Sequence, residues 1–371
     1  MMNFYINNIN HWERIIVMQL GIIGMPLTGK TTVFELLTDN KSTPHKSGKI
    51  NTAMAKIPDK RIDYLSGLYK PKKTIYAQLE IVDIPGLVPG AEKATIMFLD
   101  AVRKADALLQ VVRVFKEPSV PVFDNEIDPV KDIEYINYEL LMADLDLIEK
   151  RIERINSNKK RNQMLKELKL LEKLKDTLED EKPLSAVELD PEEKEIMATY
   201  QFLTIKPMLL CLNVSEDELL KMDYFKKNET AIYAKEHNLP LIEISANLER
   251  EIFELEAEEK DTFMNELGIE EAGIVKISRT MYRTLGLVSF FTVGEDEVKA
   301  WTVKEGTPAR QAAGKIHSDI ERGFIRAEVV DYNDLKEFKN MNTIKEKGFF
   351  RLEGKEYIVK DGDIIHFRFN V

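Results

Sequence analysis

The sequence predicts a mostly parallel α/β domain that is interrupted by an inserted helical hairpin and followed by a smaller α+β domain. Three observations carry this prediction. A glycine-rich loop lies between an apolar run and a helical pattern before residue 40, leucine and isoleucine recur at helical spacing between residues 129 and 200, and short β-branched runs dominate after residue 284. The predicted boundaries are 18–128 and 201–283 for the two parts of the α/β domain, 129–200 for the hairpin and 284–371 for the last domain, after an extension at 1–17.

The loop Gly24–Thr31 fits the phosphate-binding pattern G-x-x-x-x-G-K-[ST] and has the strand before it and the helix after it that this motif needs. Backbone N–H groups of such a loop and the partial positive charge of the helix N-terminus hold phosphate groups. Lys30 is expected to reach the β- and γ-phosphates, and the Thr31 hydroxyl to bind Mg²⁺. A glycine turn that only precedes a helix is the alternative. The predicted contacts are Met25, Pro26, Leu27, Thr28, Gly29, Lys30, Thr31 and Thr32.

Composition limits the classes of partner. The chain has 371 residues and a net charge of −11, which argues against a surface built as a whole for nucleic acid, and no DNA partner is expected. Cys211 is the single cysteine, so a reducing cytoplasm is predicted. No apolar run approaches the ~20 residues of a membrane helix, and no membrane partner is expected. Because residues 1–17 lack the apolar core of a signal peptide, Met18 is expected to be the natural start.

A second element of the same site is predicted at Asp83-Ile84-Pro85-Gly86, which follows an apolar run that begins at Gln78. Open α/β sheets bind ligands at the carboxyl ends of such strands. Asp83 is expected to hold Mg²⁺ through water, and the Gly86 amide to meet the γ-phosphate. Leu87 stands where small GTPases carry the glutamine that orients the attacking water, so slow hydrolysis is predicted.

The base is expected to be read at Asn213-Val214-Ser215-Glu216, which lies where guanine-specific proteins carry Asn-Lys-x-Asp. Glu216 is one methylene longer than Asp and Val214 replaces Lys, so guanine recognition is expected to be weakened. Asn213 as a simple helix cap is the alternative. The predicted base contacts are Asn213, Val214, Glu216, Ser245, Ala246 and Asn247.

The helical hairpin has a basic tip. Residues 150–175 contain ten Lys or Arg and three Glu, a net charge of +7 in a chain whose own charge is −11. Two interpretations stay open: a solvated coiled-coil face, or an arm that contacts an anionic partner such as ribosomal RNA.

Together these motifs resemble the YchF (Obg-like ATPase) branch of the Obg-type translation-factor GTPases. Further similarity lies at Ile57–Asp63 and Lys70–Thr74, and the segments Gln311–Asp319 and His366–Val371 resemble the family's C-terminal TGS domain. The resemblance implies a P-loop NTPase domain, an inserted coiled-coil hairpin and an α+β TGS (β-grasp-like) domain. It also implies ATP or GTP as the substrate, Mg²⁺ as the cofactor, slow hydrolysis, and association with either ribosomal subunit through the basic arm and the TGS domain. A cytoplasmic monomer is expected.

Three segments depart from the family pattern. Leu27 replaces an Asn that can help hold an activating K⁺, Ser47 in Lys46–Asn51 stands loosely for the Mg²⁺-binding Thr of the first switch, and the second switch at Gly90–Thr95 is shortened. A GTP-specific translation-factor GTPase is one alternative to a slow ATPase. A second alternative, favoured by Leu87 and the altered switches, is a non-hydrolysing, nucleotide-gated ribosome adaptor.

Overall fold

The computed structural model describes residues 18–39, 50–121 and 126–370, and the chain divides into two compact units. The first unit comprises Gln19–Lys56 and Ile81–Leu285, and the second comprises Met18, Ile57–Glu80 and Gly286 onward. The expected start at Met18 concerns an upstream segment outside the described residues, as does the expected role of Ser47.

The first unit is built on a six-stranded sheet whose strand order is β2-β4-β1-β5-β6-β7. Its strands are β1 Gln19–Ile23, β2 Asn51–Lys56, β4 Gln78–Asp83, β5 Ala107–Arg113, β6 Met208–Asn213 and β7 Leu241–Ile244. The pairs β1–β5, β5–β6 and β6–β7 are parallel. Every residue of β5 is buried, as expected for a central strand of a parallel sheet that is covered on both faces.

The helices of the first unit are α1 Lys30–Thr38, α3 Glu92–Lys104, α4 Pro129–Asn156, α5 Leu165–Glu179, α6 Pro191–Met197, α7 Glu216–Lys221, α8 Lys227–Glu236, α9 Ala246–Glu254, α10 Ala257–Glu266 and α11 Gly273–Thr284, with short 3-10 helices at Arg161–Met164 and Leu184–Ala186. Helix α4 begins after Asp128, whose side chain accepts from the backbone N–H groups of Val130 and Lys131, and Pro129 takes the first helical position. Among the described helices, none is long and apolar enough to cross a membrane.

Helices α4 and α5 fold back on one another through buried aliphatic side chains, among them Ile148 and Leu171. Two ion pairs join them, Arg151 with Glu167 at 2.7 Å and Glu149 with Lys175 at 2.8 Å. The pair nearer the end of α4 uses the residue nearer the start of α5, which is the order of an antiparallel arrangement.

The second unit holds another six-stranded sheet, in the order β11-β10-β12-β8-β9-β3. Its strands are β3 Lys73–Ile75, β8 Leu287–Val293, β9 Glu297–Lys304, β10 Phe324–Asp331, β11 Arg351–Glu353 and β12 Asp363–Phe369, and its helices are α2 Lys60–Tyr69, α12 Ala309–Ile316, α13 Ser318–Arg322, α14 Tyr332–Phe338 and α15 Met341–Glu346. One face of the sheet packs on α12 around Phe290, Val329 and Phe367.

The segment Ile57–Glu80 differs from its expected place. The boundary 18–128 assigned it to the α/β domain, whereas the structure groups it with the C-terminal unit. The physical reason is pairing at a distance: β3 forms the edge of the second sheet, in parallel register with β9. Arg61 adds a bidentate contact to Asp361, at 2.8 and 3.1 Å. A three-residue strand whose partner lies far along the chain leaves no local signal of where it will pair.

Candidate nucleotide-binding site

The phosphate loop turns between β1 and α1 in a conformation that requires its glycines. Gly24 has φ 150° and Gly29 has φ 94°, values that side chains rarely adopt. A Cβ atom at Gly24 would lie 2.3 Å from the Val111 carbonyl oxygen, and one at Gly29 would lie 2.4 Å from Asn213 Nδ2. Leu27 also has a positive φ, of 61°, and its side chain is 54% exposed. The loop backbone is therefore held against neighbouring strands while Leu27 stays at the surface.

Lys30, Thr31 and Asp83 converge at the start of α1. Lys30 is buried, and its Nζ donates to the Met25 carbonyl at 2.6 Å, where the Thr28 hydroxyl also donates. Burial lowers the pKa of Lys30 to about 8, although the nearby Asp83 carboxylate favours the charged form. The Thr31 hydroxyl donates to Asp83 Oδ2 at 2.9 Å. A lysine ammonium is thus placed beside a hydroxyl and a carboxylate.

The hydroxyl of Thr31 and the carboxylate of Asp83 fit Mg²⁺ chemically, because Mg²⁺ prefers oxygen ligands and is commonly held by one or two protein groups plus substrate phosphates and water. No group of three or more His, Cys, Asp or Glu able to hold a metal occurs in the described part of the chain. The residues present therefore suit a magnesium ion that shares its coordination with a phosphorylated ligand.

The segment after Asp83 lies directly against the loop. A Cβ atom at Gly86 would be 3.0 Å from Lys30 Nζ and 2.9 Å from the Pro26 nitrogen. The Leu87 N–H donates to the Gly24 carbonyl at 3.2 Å, and the Leu87 side chain is fully buried in a core cluster with Phe98. Leu87 therefore points into the core, and it offers no polar group to a water at the phosphate end.

Asn213 connects three segments of the site. It is 4% exposed, and its Nδ2 donates to the Thr28 carbonyl at 3.0 Å while its Oδ1 accepts from the Ala246 N–H at 3.0 Å. Ser215, not Asn213, caps the next helix, because its side chain accepts from the Glu218 N–H in a capping box. The structure thus disfavours the alternative in which Asn213 is only a cap.

The other predicted base contacts fall into two groups. Ser245 caps α9 by accepting from the Leu248 N–H, and Ala246 is buried beside Asn213, so the Ser245–Ala246 turn lies at the phosphate loop. Glu216 and Asn247 are exposed. Val214 is buried in a core cluster, and its N–H donates to the Ile244 carbonyl at 2.8 Å.

Arg250 is not among the site residues predicted from the sequence. Arg250 lies one turn into α9, and its Nη2 donates to the Thr32 hydroxyl in α1 at 3.3 Å. A second cation therefore lies beside α1. Its spacing after the Ser245–Ala246 turn is the only signal that could have indicated it.

A cavity of about 1150 Å³ in the first unit lies away from this chemistry. It runs along α4 and α8 past Tyr135, Asp132 and Tyr233, and Met25 is the one phosphate-loop residue that lines it. The converging polar groups at Lys30, not the volume of this cavity, therefore locate the candidate nucleotide site.

Two family models and several known proteins match the sequence of this chain. A family model described as "50S ribosome-binding GTPase" matches residues 19–214, and the model YchF-GTPase_C, described as "Protein of unknown function (DUF933)", matches residues 287–370. The "Ribosome-binding ATPase YchF" of Bacillus subtilis is 43% identical over 362 residues, which cover 95% of this chain and 99% of the relative. The chain belongs to the YchF family.

Two other members of the YchF family, one of them a solved structure, are also similar to this chain. The Escherichia coli O157:H7 protein of the same printed name is 41% identical over 360 residues, covering 95% of this chain and 99% of that protein. The solved structure of the Schizosaccharomyces pombe YchF GTPase superposes with a TM-score of 0.85 at 32% identity and covers 95% of this chain and 97% of that one. The predicted resemblance is confirmed, and so is an architecture in which a P-loop GTPase-like domain precedes a C-terminal domain.

Proposed function

We propose that this chain is a Mg²⁺-dependent nucleoside triphosphatase that hydrolyses ATP slowly and associates with ribosomes. The observation that carries the proposal is the convergence of Lys30, Thr31 and Asp83 on a phosphate-binding loop. The bacterial relatives at 43% and 41% identity are named ribosome-binding ATPases, which supports both the ATP hydrolysis and the ribosome association.

The residues of the loop act by position and charge. Backbone N–H groups of residues 25–32 would bind the phosphates, and Lys30 would exchange its bond to the Met25 carbonyl for one to a phosphate oxygen. A phosphate beside Lys30 favours its charged form, which opposes the lowering of its pKa by burial. Thr31 would bind Mg²⁺ directly and Asp83 would bind it through water; when bound, the ion neutralises charge on the phosphates.

Hydrolysis is expected to be slow because the groups that face the phosphate end position the substrate rather than the water. Gly86 would offer its N–H to the γ-phosphate, and the next side chain, Leu87, is buried in the core. A water-orienting group supplied by a partner would raise turnover.

The base end favours adenine over guanine because it lacks the Asp that normally recognises guanine. Guanine recognition of the usual kind needs an Asp that accepts two hydrogen bonds, and the chain has the longer Glu216 at the exposed start of α7. A GTP-specific enzyme is the second candidate, favoured by the S. pombe relative, which is named a YchF GTPase. Titration with mant-ATP and mant-GTP separates the two, and the proposal expects ATP to bind at least as tightly as GTP.

We further propose that the α4–α5 hairpin is a ribosome-binding arm and that the second unit is a TGS domain. Five of the ten cations in residues 150–175 are held in ion pairs along the shaft: Lys150, Arg151, Lys166, Lys173 and Lys175. At the tip, Arg154, Lys159, Lys160 and Arg161 are exposed and have no ion pair among the described residues. Cations without ion pairs at the tip favour contact with a phosphate backbone over the interpretation as a solvated coiled-coil face.

Ribosome pelleting tests the arm. A tip triple variant, Lys159→Gln, Lys160→Gln and Arg161→Gln, is expected to reduce co-sedimentation and to weaken its dependence on salt. The matched control removes the same charge from the shaft with Lys150→Gln, Lys166→Gln and Lys173→Gln, and should retain binding. Equal losses in both variants would mean that net charge, and not the tip, binds the ribosome.

A single-turnover assay with and without ribosomes tests hydrolysis. The proposal expects ADP to form slowly and faster with ribosomes. Release of intact ATP under both conditions would instead establish the non-hydrolysing adaptor.

A further inference from the structure

The last residue of β5, Arg113, is a buried arginine outside the predicted site. It is 5% exposed and forms no ion pair among the described residues. Instead its guanidinium donates to three backbone carbonyls, those of Phe115 at 3.2 Å, Val120 at 3.1 Å and Pro121 at 2.7 Å. Burial lowers its pKa, although the nearby carboxylates of Asp132 and Glu117 favour the charged form. The three carbonyl bonds therefore help to compensate for the loss of hydration.

The guanidinium closes the loop Val114–Pro121 on itself. Its plane lies over the Phe115 ring, with Cζ 4.6 Å from the ring centroid. Within the loop, Glu117 accepts from both the N–H and the hydroxyl of Ser119, at 3.2 and 2.9 Å. The loop is therefore held in one conformation by a fork of donors that only arginine supplies.

This loop is attached to Asn213. Arg113 and Asn213 are register partners in β5 and β6, and the N–H groups of Val114 and Phe115 both donate to the Asn213 carbonyl, at 2.9 and 3.2 Å. The Asn213 side chain in turn binds the phosphate loop at Thr28 and the turn at Ala246. One chain of hydrogen bonds thus runs from the guanidinium through Asn213, a predicted base contact, to the phosphate loop and to the predicted base contact Ala246.

We propose that Arg113 is the positioning residue of the base end of the nucleotide site. By fixing the loop against the Asn213 carbonyl, it holds the Asn213 side chain in the orientation that joins Thr28 to Ala246, and so sets how much the base adds to binding. This inference rests on the proposed nucleotide-binding function. Because the Asn213 side chain also binds Thr28 of the phosphate loop, we expect a larger effect on the affinity for the base than on the affinity for the phosphates.

The test compares MgATP with magnesium tripolyphosphate, which carries the phosphates without a base, by isothermal titration calorimetry of the full chain. The dissociation constant of magnesium tripolyphosphate divided by that of MgATP gives the contribution of the nucleoside, that is, of base and ribose together. Arg113→Gln is expected to reduce this ratio about tenfold, since it frees a loop held by several charged hydrogen bonds, and to change the tripolyphosphate affinity much less. Arg113→Lys, which keeps the charge without the fork, should recover only part of the ratio.

Two further variants keep the test decisive. Phe115→Leu removes the ring under the guanidinium without emptying the buried site, and should reduce the ratio about threefold even if Arg113→Gln fails to fold. Arg151→Gln breaks an ion pair with Glu167 in the same unit, and should lower the melting temperature with no change in the ratio.

Three results of these titrations would each overturn a different part of the proposal. An unchanged ratio in Arg113→Lys and Phe115→Leu, with reduced melting temperatures, would show that Arg113 only stabilises the fold. A wild-type ratio close to one would mean that there is no base site to position, and would also overturn the inference. Wild-type protein that binds neither MgATP nor magnesium tripolyphosphate would instead overturn the proposed function.

Discussion

Replacing Asn213 by alanine tests the geometry of the site most sharply outside the phosphate loop. Asn213→Ala removes the donor to the Thr28 carbonyl and the acceptor of the Ala246 N–H, both at 3.0 Å and both buried. Each buried group left without a partner costs about 1–3 kcal/mol, so the two together are expected to cost about 2–4 kcal/mol once water partly replaces the side chain. For a unit of this size, that loss lowers the melting temperature by about 5–10 °C.

Asn213→Asp separates the two bonds. The introduced carboxyl keeps an oxygen acceptor for the Ala246 N–H but, when ionised, places a negative charge against the Thr28 carbonyl. Its pKa in the folded protein would be raised above the usual value of an Asp, so the variant would lose stability as the pH rises from that usual value through the folded pKa. The stability of this variant relative to the wild type should therefore improve as the pH falls and the protonated carboxyl becomes a donor.

The assay is thermal unfolding of the nucleotide-free protein, followed by far-UV circular dichroism between pH 5 and 8. Asn137→Ala is the matched control, since Asn137 makes one partly buried bond to Tyr233 at 3.1 Å and is expected to cost less. An Asn213→Ala protein as stable as the wild type would refute the view that Asn213 ties the phosphate loop to the Ala246 turn.

Three further predictions concern the loop, its lysine and the second unit. Gly29→Ala should abolish MgATP binding in calorimetry because its Cβ would meet Asn213 Nδ2, whereas Gly67→Ala, with open space around it, should keep binding and add up to about 1 kcal/mol of stability. The folded pKa of Lys30 lies near 8, below the usual 10.5 of a lysine, so the unfolded chain binds more protons between these two values and the stability of the nucleotide-free protein should rise with pH there. Lys30→Met should flatten that rise in urea titrations. Arg61→Met removes the bonds to Asp59 and Asp361 and should cost about 1–3 kcal/mol in urea unfolding without changing MgATP affinity; a large loss of affinity would contradict its assignment to the second unit.

The parts of the site that could be predicted from the sequence are those whose signal is local. The phosphate loop is a contiguous motif between a strand and a helix, and Asp83 follows an apolar strand at the ligand-binding edge of the sheet, so both positions follow from spacing alone. The direct bond between the Thr31 hydroxyl and Asp83 agrees with the roles expected of them.

The parts that could not be predicted depend on pairing between distant segments. The residues around β3 read locally as a continuation of the α/β pattern, and only the register with β9 shows that they complete another sheet. Nor does the Asn213 motif reveal that its amide binds the phosphate loop, or that Arg113 holds the loop next to it, since both depend on which strands lie side by side.

The most direct test of the central claim is calorimetric titration of MgATP into the wild-type protein and into Lys30→Ala. We expect saturable binding to the wild type and an affinity about 10- to 100-fold weaker in the variant, the loss expected for a buried charge-assisted contact to phosphate. Equal affinities in the two proteins, with the variant folded, would contradict the assignment of Gly24–Thr31 as the phosphate-binding loop.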